Sequence, residues 1–181
     1  MLNDPIARRY FVMNTFDGVM TVMGLILGGA FTIADPLVLF KTGLGASLAI
    51  MISGFFGAYM TEKAERTAEI KILEKHLFRS LKGTQVEKTA RGKTLMLAAI
   101  DGLSPFLGSF LPLLPFLFAH FGVLDFASAF VVAMALAFGL LVFLGIYLGK
   151  IMEENPWKMG LLFMVGGVLV GVLGSMIGKL L

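Results

Sequence analysis

The sequence predicts an all-α integral membrane protein of five transmembrane helices, and three observations predict it. Hydrophobic side chains make up 57% of the 181 residues and charged ones only 15%, with a mean hydropathy of +0.88, far more apolar than a water-soluble domain of this length. Five apolar stretches, roughly 10–33, 38–61, 94–119, 122–149 and 157–180, are each long enough to cross about 30 Å of hydrocarbon at about 1.5 Å per residue. Runs of that length exclude the short alternating strands of a membrane barrel.

The first span follows a basic start, MLNDPIARR, and runs too long for a signal peptide, so the N-terminus is expected to be retained. The second span leads into a polar segment, 62–93, in which Ile70, Ile72, Leu73, Leu77 and Leu81 recur at near-helical spacing. That spacing predicts a short cytoplasmic amphipathic helix ending at Lys82-Gly83-Thr84, where glycine accepts the left-handed backbone of a helix C-terminus. The segment is too small to stand alone, so residues 1–181 read as one transmembrane domain. Pro105 is expected to interrupt the third span and free backbone carbonyls. The third span also repeats the first: Asp17-Gly18 and Gly24 match Asp101-Gly102 and Gly108 at an offset of 84 residues, and the second and fourth spans exit alike through Gly57-Ala58-Tyr59-Met60 and Gly145-Ile146-Tyr147-Leu148. In the fifth span Gly167, Gly171, Gly174 and Gly178 read as a packing stripe.

Charge orients the chain. With the N-terminus inside, thirteen lysines and arginines lie on the cytoplasmic side, nine of them between residues 62 and 93, and only Lys41 and Lys179 lie outside. The positive-inside bias therefore predicts an N-in, C-out topology. The net charge of +3 belongs to these loops and does not point to nucleic acid. With no cysteine, a metal could be held only by oxygen, imidazole or thioether. The zinc-protease HExxH, the P-loop and the nucleophile elbow are all absent, so an enzyme is not expected. Without a targeting segment, a prokaryotic plasma membrane is the expected location.

Asp17 and Asp101 each stand about seven residues inside their spans, on the order of 10 Å below the helix ends. A carboxylate near the centre of a spanning helix costs about 2.5–3.5 kcal/mol on insertion, so each needs a proton, a cation or water as partner. Asn14, Asp17, Thr21, Gly24 and Gly28 share one face of the first span; Thr94, Asp101, Ser104, Gly108 and Pro112 share one face of the third. Oxygen ligands along such stripes suit a hard or borderline divalent cation. Helix packing by small residues is the other reading of the same stripes. Glu62, Glu65 and Glu69 share a face where the second helix leaves the membrane and could gather cations, or form a salt-bridged surface with Lys63, Arg66 and Lys71. Met20 and Met23 could supply thioethers or simply pack.

Three segments resemble the vacuolar iron transporter family: Phe16-Asp17-Gly18-Val19-Met20-Thr21-Val22; Gly57-Ala58-Tyr59-Met60-Thr61 with Glu65-Arg66-Thr67-Ala68-Glu69; and Gly102-Leu103-Ser104-Pro105-Phe106-Leu107-Gly108 with Leu111-Pro112-Leu113-Leu114-Pro115-Phe116. The resemblance implies five spans and a homodimer with a shared pathway. It also implies export of Fe(II) or Mn(II) from the cytosol in exchange for protons, with Asp17 as a metal or proton site. The metal is then the transported substrate, and no prosthetic group is implied. The chain departs from the family pattern at Ala58, where a glutamate is expected, at Gly54, where a methionine is expected, and in a segment 62–93 too short for a long glutamate-rich domain. A carboxylate missing at Ala58 and present at Asp101 suggests a relocated ligand. The alternative is a non-transporting membrane scaffold in which the aspartates lock helices together.

Overall fold

A computed structural model describes residues 4–30 and 35–180, with the side chains of 30, 175 and 177–180 left out. Five helices follow in order: α1 (Pro5–Ala30), α2 (Pro36–Leu77), α3 (Gln85–His120), α4 (Phe126–Ile151) and α5 (Pro156–Leu180). All five are long and apolar enough to cross a membrane, and the described residues contain no strand. Residues 31–33 of the expected first span lie outside the described residues, as do the packing contacts of Gly178.

Three helices begin on an Asx-Pro pair. Asp4 Oδ1 accepts from the Ile6 amide at 2.9 Å, Asp35 Oδ1 from Leu37 at 2.8 Å and Asn155 Oδ1 from Trp157 at 3.0 Å, each ahead of a proline in the first turn. The proline has no N–H to leave unbonded, and the Asx oxygen satisfies one that remains. Hence α1 starts at Pro5, ahead of its apolar run. Asp125 caps α4 through the Ser128 amide, which moves that start from the expected 122 to Phe126.

The segment 62–93 continues the second span as a helix, as expected, but the helix ends earlier than Lys82-Gly83-Thr84. α2 continues unbroken to Leu77, and the left-handed residue that ends it is Phe78 (φ 48°), not Gly83. Glu74 holds this end: its backbone carbonyl accepts from Arg79, and its carboxylate accepts from the Leu81 amide at 2.6 Å and the Ser80 hydroxyl at 3.2 Å. Gly83 (φ 77°) lies in the turn that follows, and residues 85–93 already belong to α3. At 42 and 36 residues, α2 and α3 are roughly 63 and 54 Å long. They exceed the hydrocarbon thickness of about 30 Å and project from the bundle as a hairpin.

Pro105, Pro112 and Pro115 do not interrupt α3, which is helical throughout. Two hydroxyls bond carbonyls of the same helix, Ser104 that of Ile100 and Ser109 that of Pro105 at 2.8 Å, but neither is a carbonyl that a proline deprives of its donor. The missing N–H of Pro105 still leaves the Asp101 carbonyl without its helical donor.

α3 packs between α2 and α1, and α4 and α5 close the other side of α1. One core cluster joins Val22 and Ile26 of α1, Leu113 and Phe116 of α3 and Ala129 and Ala133 of α4; a second joins Val19 and Met23 to Ala137 and Leu141. Alanines every four residues let α4 approach closely, the kind of contact that joins helices in lipid, where apolar burial supplies no drive between them. Gly167 meets Leu141 and Phe138, while Gly171 and Gly174 meet Leu27, so these three glycines are packing residues. Met23 is fully buried in this core.

Candidate functional site

Glycines bring the two aspartates into one cleft. Gly18 lies against the backbone of Pro105, so that a Cβ there would overlap the proline carbonyl. Gly108 meets the Thr15 carbonyl in the same way, and Gly102 meets the Met51 carbonyl and Phe55 on α2. Each Asp-Gly pair thus places a carboxylate beside a residue that allows a neighbouring helix to come close. The result is a cleft of about 430 Å3 lined by Asn14 and Asp17 of α1, Asp101 and Pro105 of α3, and Ala49, Ile50, Ser53 and Gly54 of α2.

Within it, Asn14 Nδ2 donates to Asp101 Oδ1 at 2.5 Å. The Asp101 carboxylate also fills the space in front of Gly54: a Cβ at residue 54 would stand 3.1 Å from Asp101 Oδ2 and 3.1 Å from its backbone oxygen. A side chain at position 54 and the Asp101 carboxylate compete for one volume. Asp101 is half-buried, whereas Asp17 is exposed on the surface of the single chain. No described residue reaches Asp17 with a hydrogen bond or an ion pair.

Toward the hairpin, a second polar pair lies on the same helix faces. Tyr10, Asn14 and Asp17 are spaced i, i+4, i+7 on α1, and Gly54, Ala58 and Glu62 are spaced i, i+4, i+8 on α2. The Tyr10 hydroxyl donates to Glu62 Oε1 at 2.9 Å, and Arg66 Nη2 lies 3.8 Å from Glu62 Oε2. Glu62 is buried at 9% exposure and Ala58 at 7%, so Ala58 forms an uncharged step between the two polar pairs.

The remaining expected residues lie elsewhere. Glu65 and Glu69 are exposed, with Glu69 bonded to Arg66 at 2.9 Å. Thr21 is exposed, Gly24 faces Val170 of α5, and Ser104 and Gly108 are taken up in the packing of α3. Met20 lies near Gly166, away from the cleft. Among the described residues, no three histidine or carboxylate side chains converge to hold a metal within one chain. Tyr10 and Ser53 were not anticipated. The period of three and four that links Tyr10 to Asn14 could have found the first, while Ser53 carries no local signal.

Residues 68–179, more than half the chain, match the family model described as the VIT family. The chain belongs to the VIT family. Over 181 aligned residues it is 33% identical to an uncharacterized protein of the archaeon Methanocaldococcus jannaschii, covering 98% of this chain and 92% of that one. This bears out the resemblance to vacuolar iron transporters. Membership, with five apolar helices, makes the protein a multi-pass membrane protein of a metal-ion transporter family. The VIT-family match contains Asp101 and the proline-rich half of α3, and it begins after α1.

Proposed function

We propose that this VIT-family protein exports Fe(II) or Mn(II) from the cytosol in exchange for protons, with the Asp17–Asp101 cleft as the site where ion and proton alternate. The observation that carries the reading is the cleft itself: two carboxylates at spanning depth, with no described cation beside them. A carboxylate left facing lipid is costly, so the exposed face of Asp17 calls for a cover. A second copy of the chain provides it, bringing four carboxylates together across a homodimer axis. Crowded carboxylates in a poorly hydrated site hold protons more tightly, which lets entering metal displace them. Asn14 holds Asp101 in place, and Ser53 adds a further oxygen. This all-oxygen donor set suits Mn(II) at least as well as Fe(II). Tyr10 and Glu62 form the entrance, on the side where the lysine-rich and arginine-rich hairpin sets an N-in, C-out orientation.

The test is metal uptake into proteoliposomes loaded with Fe(II)- or Mn(II)-sensitive dye, with and without a pH gradient. The gradient should accelerate flux, and Asp17→Asn should reduce it at least tenfold while the protein still elutes as folded. Full flux in Asp17→Asn would overturn the mechanism.

A further inference from the structure

Beyond the apolar spans, the projecting arms of α2 and α3 enclose a groove of about 820 Å3. Five cationic side chains line it, Lys63, Arg66, Lys71, Lys82 and Arg91, against two carboxylates, Glu74 and Glu87. Both carboxylates are already engaged in the hairpin turn. Glu74 accepts from Leu81 and Ser80; Glu87 accepts from the Gly83 amide at 2.6 Å and from Arg91 at 2.6 Å. Lys63 lies over the Tyr59 ring, 5.7 Å from its centre, and no described carboxylate lies within ion-pairing distance of Lys71 or Lys82. With Arg66 paired to Glu62 and Glu69 and Arg91 to Glu87, the surplus of positive charge in the groove is carried by Lys63, Lys71 and Lys82.

A second, independent observation comes from Arg66. Its two terminal nitrogens face Glu62 and Glu69, but its Nε is buried and has no acceptor among the described residues. Buried donors are almost always satisfied, and this unsatisfied N–H belongs to a cationic side chain that lines the groove. At its inner end the groove is lined by Tyr59, Thr94 and Leu95, where the apolar spans begin, and Leu95 is 55% exposed. Charge in the groove and an apolar contact at its foot match a molecule with an anionic head and a hydrocarbon tail. Basic pockets between helices at a membrane surface recognise phosphate headgroups in this way.

We infer that the groove between the α2 and α3 arms binds a phosphate group, supplied by the headgroup of an anionic phospholipid. The site is separate from the aspartate cleft, and its binding is independent of which metal the protein carries.

The experiment uses the full chain in neutral detergent, titrated with phosphatidylglycerol, phosphatidylcholine or inorganic phosphate and read by native mass spectrometry and thermal unfolding. Phosphatidylglycerol should remain bound and raise the melting temperature, and phosphatidylcholine should not. In the double variant Lys71→Gln, Lys82→Gln, both exposed positions, binding should weaken roughly thirtyfold for the two lost cations. The pair Lys150→Gln, Lys158→Gln removes the same charge outside the groove and should bind as wild type. Binding of inorganic phosphate alone, lost in the groove variant, would support the site while overturning the lipid as its source. No binding by either probe, or equal weakening in the two double variants, would overturn the site.

Discussion

Gly18→Ala tests whether the contact between α1 and α3 sets the spacing of the aspartates. A Cβ at residue 18 would stand 2.7 Å from the Cα of Pro105 and 2.8 Å from its carbonyl carbon, and nearer still to the carbonyl oxygen. Carbon atoms pack at about 3.5–4.0 Å, so the helices must separate by roughly 1 Å. The obstructing atoms are all backbone, and no rotamer change relieves them. Overpacking of this kind costs about 1–3 kcal/mol. For a chain of 181 residues that corresponds to a loss of roughly 2–12 °C in melting temperature.

Asn14 and Asp17 move with the same helix. A displacement of about 1 Å stretches the 2.5 Å bond from Asn14 to Asp101 beyond hydrogen-bond range, so metal flux falls as well. Gly139→Ala in α4 is the control: no described residue lies within 4 Å of its added Cβ, and replacing a helix-interior glycine should raise stability by about 1 kcal/mol. The two variants are compared by thermal unfolding in detergent and by proteoliposome flux. If Gly18→Ala melts and transports like wild type, the glycine contact does not hold the site together.

Tyr10→Phe leaves the buried Glu62 without its hydroxyl donor and should cost about 1.5–3 kcal/mol by thermal or denaturant unfolding, as for other bonds to charged groups. Glu65→Gln, at an exposed position, should leave stability and flux unchanged; a large loss of flux would place Glu65 on the path. Asp125 caps α4, and the Ser128 hydroxyl, followed by the Ser128 amide, holds its carboxyl below the usual carboxylate range. Its contribution to stability is therefore present above the unfolded pKa and is lost as pH falls through the lower folded value. Asp125→Ala should lower the melting temperature at pH 7, and the gap from wild type should begin to narrow in melts taken below about pH 4.

Apolar run length determined five spanning helices, because a stretch of that composition has no other stable state in a bilayer or in water. Insertion cost singled out Asp17 and Asp101 for the same reason: it depends on residue type and depth, both of which can be read along the chain. Helix starts were not read correctly from hydropathy; Asp4-Pro5, Asp35-Pro36 and Asn155-Pro156 set them, since capping is a local hydrogen-bond pattern and apolarity is not. The end of α2 was not legible. Phe78 takes the left-handed conformation because the bonds gathered by Glu74 outweigh its strain, and those bonds exist only once the turn has formed.

Tertiary structure decided which polar residues meet. Asp17, Asp101 and Asn14 share a cleft, whereas Ser104 and Gly108, on the expected stripe, are used up in packing. A helical face tells which residues point together but not which neighbour they meet. Glu62 separated from Glu65 and Glu69 on that ground, through its contact with Tyr10, 52 positions away. The pairing of Gly54 with Asp101 is of the same kind. The sequence set Asp101 against the missing carboxylate at Ala58, and only the approach of α2 to α3 brings its carboxylate into the space in front of Gly54.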